Sequence, residues 1–272
     1  MMKDSDLHKK AMDFLLKTSR TFYIPISQLP GRLQEAIGAA YLCMRAIDEI
    51  EDDASLPAAD KIHLLERTAD LLEKKEYSAD AFQAVYGPYQ EQLPEVTLLL
   101  PDWIAFCPAE TREKVLESTA EMARGMAKWV DKGWMIHTQE ELDDYTYYVA
   151  GLVGVMLSDI WNWYDGTKTD RDLAIAFGRG LQTVNILRNR EEDAERGVNF
   201  FPDGWGFSEM FTHTEKNLVL ADQYVEDIET KKILHFCRIP LELAKATLKV
   251  LKDGQEKLNR QEVNEIVQNI VK

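Results

Sequence analysis

The chain has 272 residues, 45% of them apolar and 29% charged, with a formal net charge of −15. It is long enough to bury a large core and rich enough in apolar side chains to do so. The acidic excess argues against nucleic acid as a partner and against electrostatic docking on anionic lipid. Cys43, Cys107 and Cys237 form no CxxC pair and sit among apolar neighbours, so reduced core thiols are expected instead of zinc ligands or disulfides. The first ten residues are of mixed charge and lack an apolar signal-peptide region. The longest apolar stretch, 149–156, is too short to span a bilayer, so a cytoplasmic location is the default expectation.

Helical periodicity runs through almost the whole chain, and alternating β-branched runs are scarce. A first helix is predicted over 7–17, with Pro25 and Pro30 breaking the stretch after it. A long helix over 33–53 carries apolar residues on most faces and is expected to be central. Pro57 opens a helix over 59–74, and Pro94, Pro101 and Pro108 punctuate shorter pieces. Long helices are predicted over 109–132, over 140–164 and over 170–196. Thr138 with Glu141 makes a capping box for the second of these. Val198–Phe207 reads as a loop. Helices over 214–230, 231–252 and 260–271 complete the chain, with Pro240 as a kink or restart in the second. No repeat, low-complexity segment or linker interrupts the pattern. The expectation is one all-α domain spanning 1–272.

The segment Tyr41–Asp53 ends an apolar helical run with Asp48, Glu49, Glu51, Asp52 and Asp53. Helical spacing puts Arg45, Asp48 and Asp52 on one face. Two carboxylates one turn apart suit a hard divalent cation that keeps some waters and also meets a phosphate. A solvated helix end is the plain alternative, but acids at a helix C-terminus oppose the macrodipole. Glu49, Glu51 and Asp53 are expected to be solvated or to stand behind the ligands. A second signal lies in 182–193, where Gln182, Asn185, Asn189 and Asp193 form a polar stripe on an otherwise apolar helix. The stripe favours amides over the lysines and glutamates usual on an outward face. If the two acid-rich ends face each other, oxygens from both walls surround a cation cluster above an apolar cavity. That arrangement would ionise a prenyl diphosphate.

These ordered segments resemble the squalene/phytoene synthase family, and within it the squalene synthase branch, from about residue 17 to about residue 248. The resemblance implies an isoprenoid synthase-like helical bundle around a central apolar cavity. It implies Mg²⁺-dependent head-to-head condensation of two farnesyl diphosphates, through a cyclopropylcarbinyl diphosphate, to a C30 product such as squalene. In Ser19-Arg20-Thr21-Phe22, the resemblance makes Ser19, Arg20 and Thr21 diphosphate binders. Arg45, Gln182, Asn185 and Arg188 join them in that role. Asp48, Asp52, Asn189 and Asp193 become the magnesium ligands. Tyr145, in Tyr145-Thr146-Tyr147-Tyr148-Val149-Ala150-Gly151, takes the place of the family's active-site tyrosine, with Tyr41 and Arg45 also catalytic. Gly125-Met126-Ala127 resembles a segment lining the pocket. Phe200-Phe201-Pro202 and Phe236-Cys237-Arg238-Ile239-Pro240 resemble later segments of the branch.

Two departures stand out. Asn189 replaces the aspartate that opens the family's second acidic motif, removing one charge from a site that binds through charge. The basic segment that accompanies NADPH use is thin here, at Lys249-Val250-Leu251-Lys252-Asp253-Gly254, which leaves NADPH open. Two other functions therefore compete with condensation. One is a single-substrate enzyme giving a prenyl alcohol or a cyclised terpene. The other is a catalytically silent binding or assembly homologue. No nucleic acid and no transmembrane segment are expected, and an apolar product would leave by peripheral membrane contact. The oligomeric state is open.

Overall fold

The computed structural model describes residues 4–271, which fold as two compact units, Met1–Lys132 and Gly133–Lys272. Among the described residues the architecture is helical throughout; the only strand-like pairing is an isolated bridge between Met135 and Asn199.

The first unit contains α1 (Asp4–Thr18), α2 (Arg20–Ser27), α3 (Gly31–Asp52), α4 (Ala58–Glu73), α5 (Ala79–Tyr86), α6 (Glu95–Leu98), α7 (Leu100–Phe106) and α8 (Ala109–Asp131). As expected, α3 is central, packing against α1, α6, α7 and α8. Its alanines at 36, 39, 40 and 46 are at most 1% exposed, which lets neighbours approach on several sides. Thr97 Oγ1 donates to the carbonyl of Ala46 at 2.9 Å, tying α6 to the middle of α3. The expected break at Pro25 is corrected: Pro25 lies inside α2. A proline there forfeits only the bond to the carbonyl four residues back, and this short helix tolerates the loss. Pro30 does mark a boundary, as the N-cap of α3.

The second unit begins with α9 (Gln139–Thr146), a π-helical turn (Tyr147–Gly151) and α10 (Leu152–Asp165). The expected single helix over 140–164 is thus one path with a wider turn inside it. The capping box forms only in half: Thr138 Oγ1 accepts from Glu141 N–H, but Glu141 Oε2 accepts from the N–H of His137. The expected helix over 170–196 divides into α11 (Arg171–Arg188) and α12 (Arg190–Glu195). Asn189 forms the joint with φ −95° and ψ 10°, while its N–H still donates to the Asn185 carbonyl at 2.9 Å. The unit closes with α13 (Phe207–Glu226), α14 (Lys231–Lys252) and α15 (Arg260–Val271). α13 starts seven residues before the expected Thr214. Its N-terminus has no side-chain cap, only Glu209 Oε2 accepting from Gly206 N–H at 2.9 Å. Pro240 sits inside α14, which continues through it. All three cysteines are buried and free, as expected.

Helices α10 and α11, together with the π-turn, cross almost in contact. A Cβ on Gly154 would lie 2.1 Å from the Ala174 carbonyl oxygen, and one on Gly178 would lie 2.1 Å from the Ala150 oxygen. Backbone packing therefore explains Gly154. Substituting Gly178→Ala must push two backbones apart, and chemical denaturation should register a loss of about 3 kcal/mol.

Candidate active site

In the first unit one face of α3 carries Tyr41, Arg45, Asp48 and Asp52, spaced about a turn apart. Its upper end meets the α1–α2 junction. There Ser19 is the N-cap of α2, its Oγ accepting from Phe22 N–H at 3.2 Å. The Tyr41 hydroxyl is hydrogen-bonded to the side chains of Thr18 and Ser19, and its ring lies 5.9 Å from that of Phe22. Burial raises the Tyr41 hydroxyl above its ordinary value; those two hydrogen bonds and the Arg45 charge pull it part of the way back. Thr21 is exposed in the first turn of α2, where backbone N–H groups have no intrahelical partner. The side chain of Arg20, expected to bind diphosphate, lies outside the described residues.

Arg45 reaches along the face to its acids. Its Nη1 lies 2.5 Å from Asp48 Oδ2, and its Nε donates to Glu49 Oε1 at 2.8 Å. Burial works against the guanidinium charge, but Asp48 and Glu49 outweigh it and raise the Arg45 pKa. One turn further, oxygens of Asp48, Glu51 and Asp52 lie within 4.8 Å of one another. Burial, and then the Asp52 charge, push the Asp48 carboxyl up to about 7, against the pull of Arg45.

Of the two expectations for Glu51, solvated or standing behind the ligands, the first does not hold: it is only 7% exposed, and it joins the cluster. Its signal was its place three residues after Asp48, the same helical step that joins Arg45 to Asp48. Asp53 does not join them; it caps the next turn, accepting from the N–H groups of Ser55 and Leu56. Three carboxylates gathered at the negative end of a helix dipole form an all-oxygen donor set that a hard divalent cation fits. Asp48, Glu51 and Asp52 are thus the residues that could hold Mg²⁺.

The second unit places the polar stripe as expected on α11 and α12, with Gln182, Asn185 and Asn189 half-buried and Asp193 buried. Its groups already have partners. Asn185 Nδ2 lies 3.5 Å from Gln182 Oε1, the exposed Arg188 donates from Nε to Asn189 Oδ1 at 3.1 Å, and Arg196 Nη2 lies 2.7 Å from Asp193 Oδ1. Among the described residues no second trio of acids gathers here. Tyr145, 6% exposed, stacks on Phe200 with ring centroids 4.7 Å apart, joining two segments that sequence reading singled out separately.

The raised Asp48 pKa has a sign for stability. The folded state holds this proton more tightly than the unfolded chain does. The contribution is therefore complete below pH ~4 and is lost as pH rises through about 7. In EDTA, the melting temperature should fall between pH 5.5 and 8.5 by more in the wild type than in Asp48→Asn. Equal falls in the two proteins would remove this carboxyl from the account.

Comparison with known proteins bears on the family and the fold. The squalene/phytoene synthase family model matches residues 15–206. The squalene synthase of Mus musculus is 28% identical over 91% of this chain and 64% of its own length. Squalene synthase BSS of Botryococcus braunii is 31% identical over 87% of this chain and 57% of its own. The chain thus spans about three-fifths of the length of these relatives. A solved complex of TcSQS with the ligand E5700 superposes with a TM-score of 0.80 at 23% identity, covering 98% of this chain and 86% of that one. A dehydrosqualene synthase structure matches with a TM-score of 0.57 at 18% identity. With the family model covering most of its helices, this chain belongs to the squalene/phytoene synthase family.

Proposed function

We propose that this chain is a Mg²⁺-dependent farnesyltransferase that joins two farnesyl diphosphates head to head, through a cyclopropylcarbinyl diphosphate, to a C30 product such as squalene. The observation that carries the reading is the trio Asp48, Glu51 and Asp52 with Arg45 one turn before it. Mg²⁺ bound there would supply charge neutralisation to a departing diphosphate. Arg45 adds hydrogen bonds from a planar fork to the outer phosphate oxygens. Ser19, Arg20 and Thr21, at the start of α2, offer hydroxyls and a cation to the same class of ligand. Gln182, Asn185 and Arg188 do so from α11, with Asn189 and Asp193 as the weaker metal ligands. The allylic cation left behind needs apolar walls that keep water away. Closure of the cyclopropane ring then releases a proton, which the Tyr145 hydroxyl takes up as it passes its own to the released diphosphate, with Tyr41 supporting the first ionisation beside Arg45. The reading assigns the enzyme to the cytoplasm, with peripheral membrane contact as the exit for an apolar product.

A single-substrate reading is favoured by one observation. The Asn189 oxygen is held by Arg188, and Asp193 is paired with Arg196, so the second motif offers fewer free oxygens. Ionisation of one diphosphate followed by capture by water or by its own chain would give a prenyl alcohol or a cyclised terpene.

Product analysis by mass after incubation with Mg²⁺ and farnesyl diphosphate, with and without NADPH, separates the two. C30 material is expected in both arms, with NADPH deciding whether it is reduced. Products of C15 only would establish the single-substrate reading. Asn189→Asp should raise the C30 rate by roughly tenfold if position 189 ligates metal. Asp52→Ala should lower diphosphate release by on the order of 100-fold.

A further inference from the structure

The tyrosine proposed as proton acceptor sits at the end of α9, where the regular helix gives way to the π-turn 147–151. In a π-turn the hydrogen bonds skip one residue further, here from the Leu152 N–H to the Tyr147 carbonyl, so the four-residue ladder stops just after Tyr145. The Tyr147 N–H still closes the last turn onto the Asp143 carbonyl, and side chains from neighbouring helices add to that hold. Beneath the turn lies a cluster that the proposed reaction does not use.

Asp143, two residues before Tyr145, points its Oδ1 at an arginine and a histidine from neighbouring helices. Arg179 Nε of α11 lies at 3.1 Å and His213 Nε2 of α13 at 3.2 Å. Oδ1 is buried and takes both nitrogens as ion-pair partners outside hydrogen-bond geometry. The guanidinium also holds the backbone of the same turn. Its Nη2 donates to the Asp143 carbonyl at 3.1 Å and its Nε to Thr146 Oγ1 at 3.3 Å. Thr146 Oγ1 in turn donates to the Leu142 carbonyl at 2.7 Å. His213 is fixed from behind: its carbonyl accepts from Asn217 Nδ2 at 2.9 Å, and its ring lies 5.6 Å from that of Trp205. The His213 side chain is 7% exposed and that of Arg179 20%, so these polar groups meet in a setting where geometry is costly to change.

We propose that Asp143, held between Arg179 and His213, is a positioning residue that fixes the Tyr145 ring at the end of α9, next to the π-turn. The proposal rests on the assignment of Tyr145 as proton acceptor. Residues 142–146 are tied to α11 through the Arg179 fork and to α13 through His213, and the stacking on Phe200 supplies the remaining constraint on the tyrosine ring. A displacement of about 1 Å at a reacting group can cost about 100-fold in rate.

The experiment is a double-mutant cycle on the full chain with Mg²⁺ and farnesyl diphosphate, joined to hydrogen exchange of the amides of 145–151. Asp143→Asn is expected to lower kcat by about 100-fold with KM changed by less than about twofold. It should speed exchange across the π-turn and cost nothing further in a Tyr145→Phe background. Arg179→Lys keeps the charge but withdraws the fork, and should give the same pattern more weakly. It serves as the readout if Asp143→Asn does not fold. Effects that multiply with Tyr145→Phe, or unchanged exchange at 145–151 in the folded variants, overturn the proposal. If Tyr145→Phe is as active as the wild type, the tyrosine assignment falls by itself. Exchange alone then decides whether Asp143 anchors the turn.

Discussion

Like charges crowded at the end of one helix are the constraint on which the site depends. Asp48, Glu51 and Asp52 bring three carboxylates within 4.8 Å of one another where the dipole of α3 is already negative. Arg45 neutralises only part of this, and it shares its guanidinium with Glu49. Part of the remainder is relieved by the proton that Asp48 holds, its carboxyl pushed up to about 7. A helix that ended in lysines would be more stable by itself, so the arrangement stores unfavourable electrostatics that a divalent cation relieves on binding.

The rest of the first unit supports that helix end. Small residues along α3 admit neighbours on several sides, and Thr97 ties α6 to the Ala46 carbonyl one turn before Ile50. Lys61, itself buried, donates to the Glu51 carbonyl at 2.6 Å and so satisfies a backbone acceptor in the last turn. The α1–α2 junction contacts the same face through Tyr41, so the hydroxyls of Thr18 and Ser19 are positioned relative to Arg45 by α3 itself.

Much of this was legible in the residues because helical period and charge spacing are local. The face Tyr41–Arg45–Asp48–Asp52 follows from the 3.6-residue repeat alone, and α14 and α15 matched their expected limits. The misses share a cause. Glu51 reads either as a solvated acid or as one behind the ligands because burial depends on neighbouring helices, which spacing does not encode. The joint at Asn189 and the π-turn at 147–151 depart from the ladder by a single residue and leave the apolar pattern nearly unchanged. The early start of α13 lacked a Ser, Asp or Asn cap to announce it, and Gly204 and Gly206 read as loop. The Asp143–Arg179–His213 cluster joins three helices distant in the chain, so no window of sequence contains it.

The wider turn at Tyr147–Gly151 also changes what a substitution means on either side of it. One residue too many advances the angular phase by about 100°, so a wheel diagram drawn straight through 139–165 assigns the later side chains to the wrong quadrant. With the phase corrected, Gly154 faces the Ala174 backbone, although α9 alone would forecast another direction. Deleting one residue from the turn would let the spiral run regular with the glycine seam still against its partner, so a one-residue change of length is absorbed here. The turn is therefore an indexing element, and a one-residue gap placed within it keeps every position downstream in register.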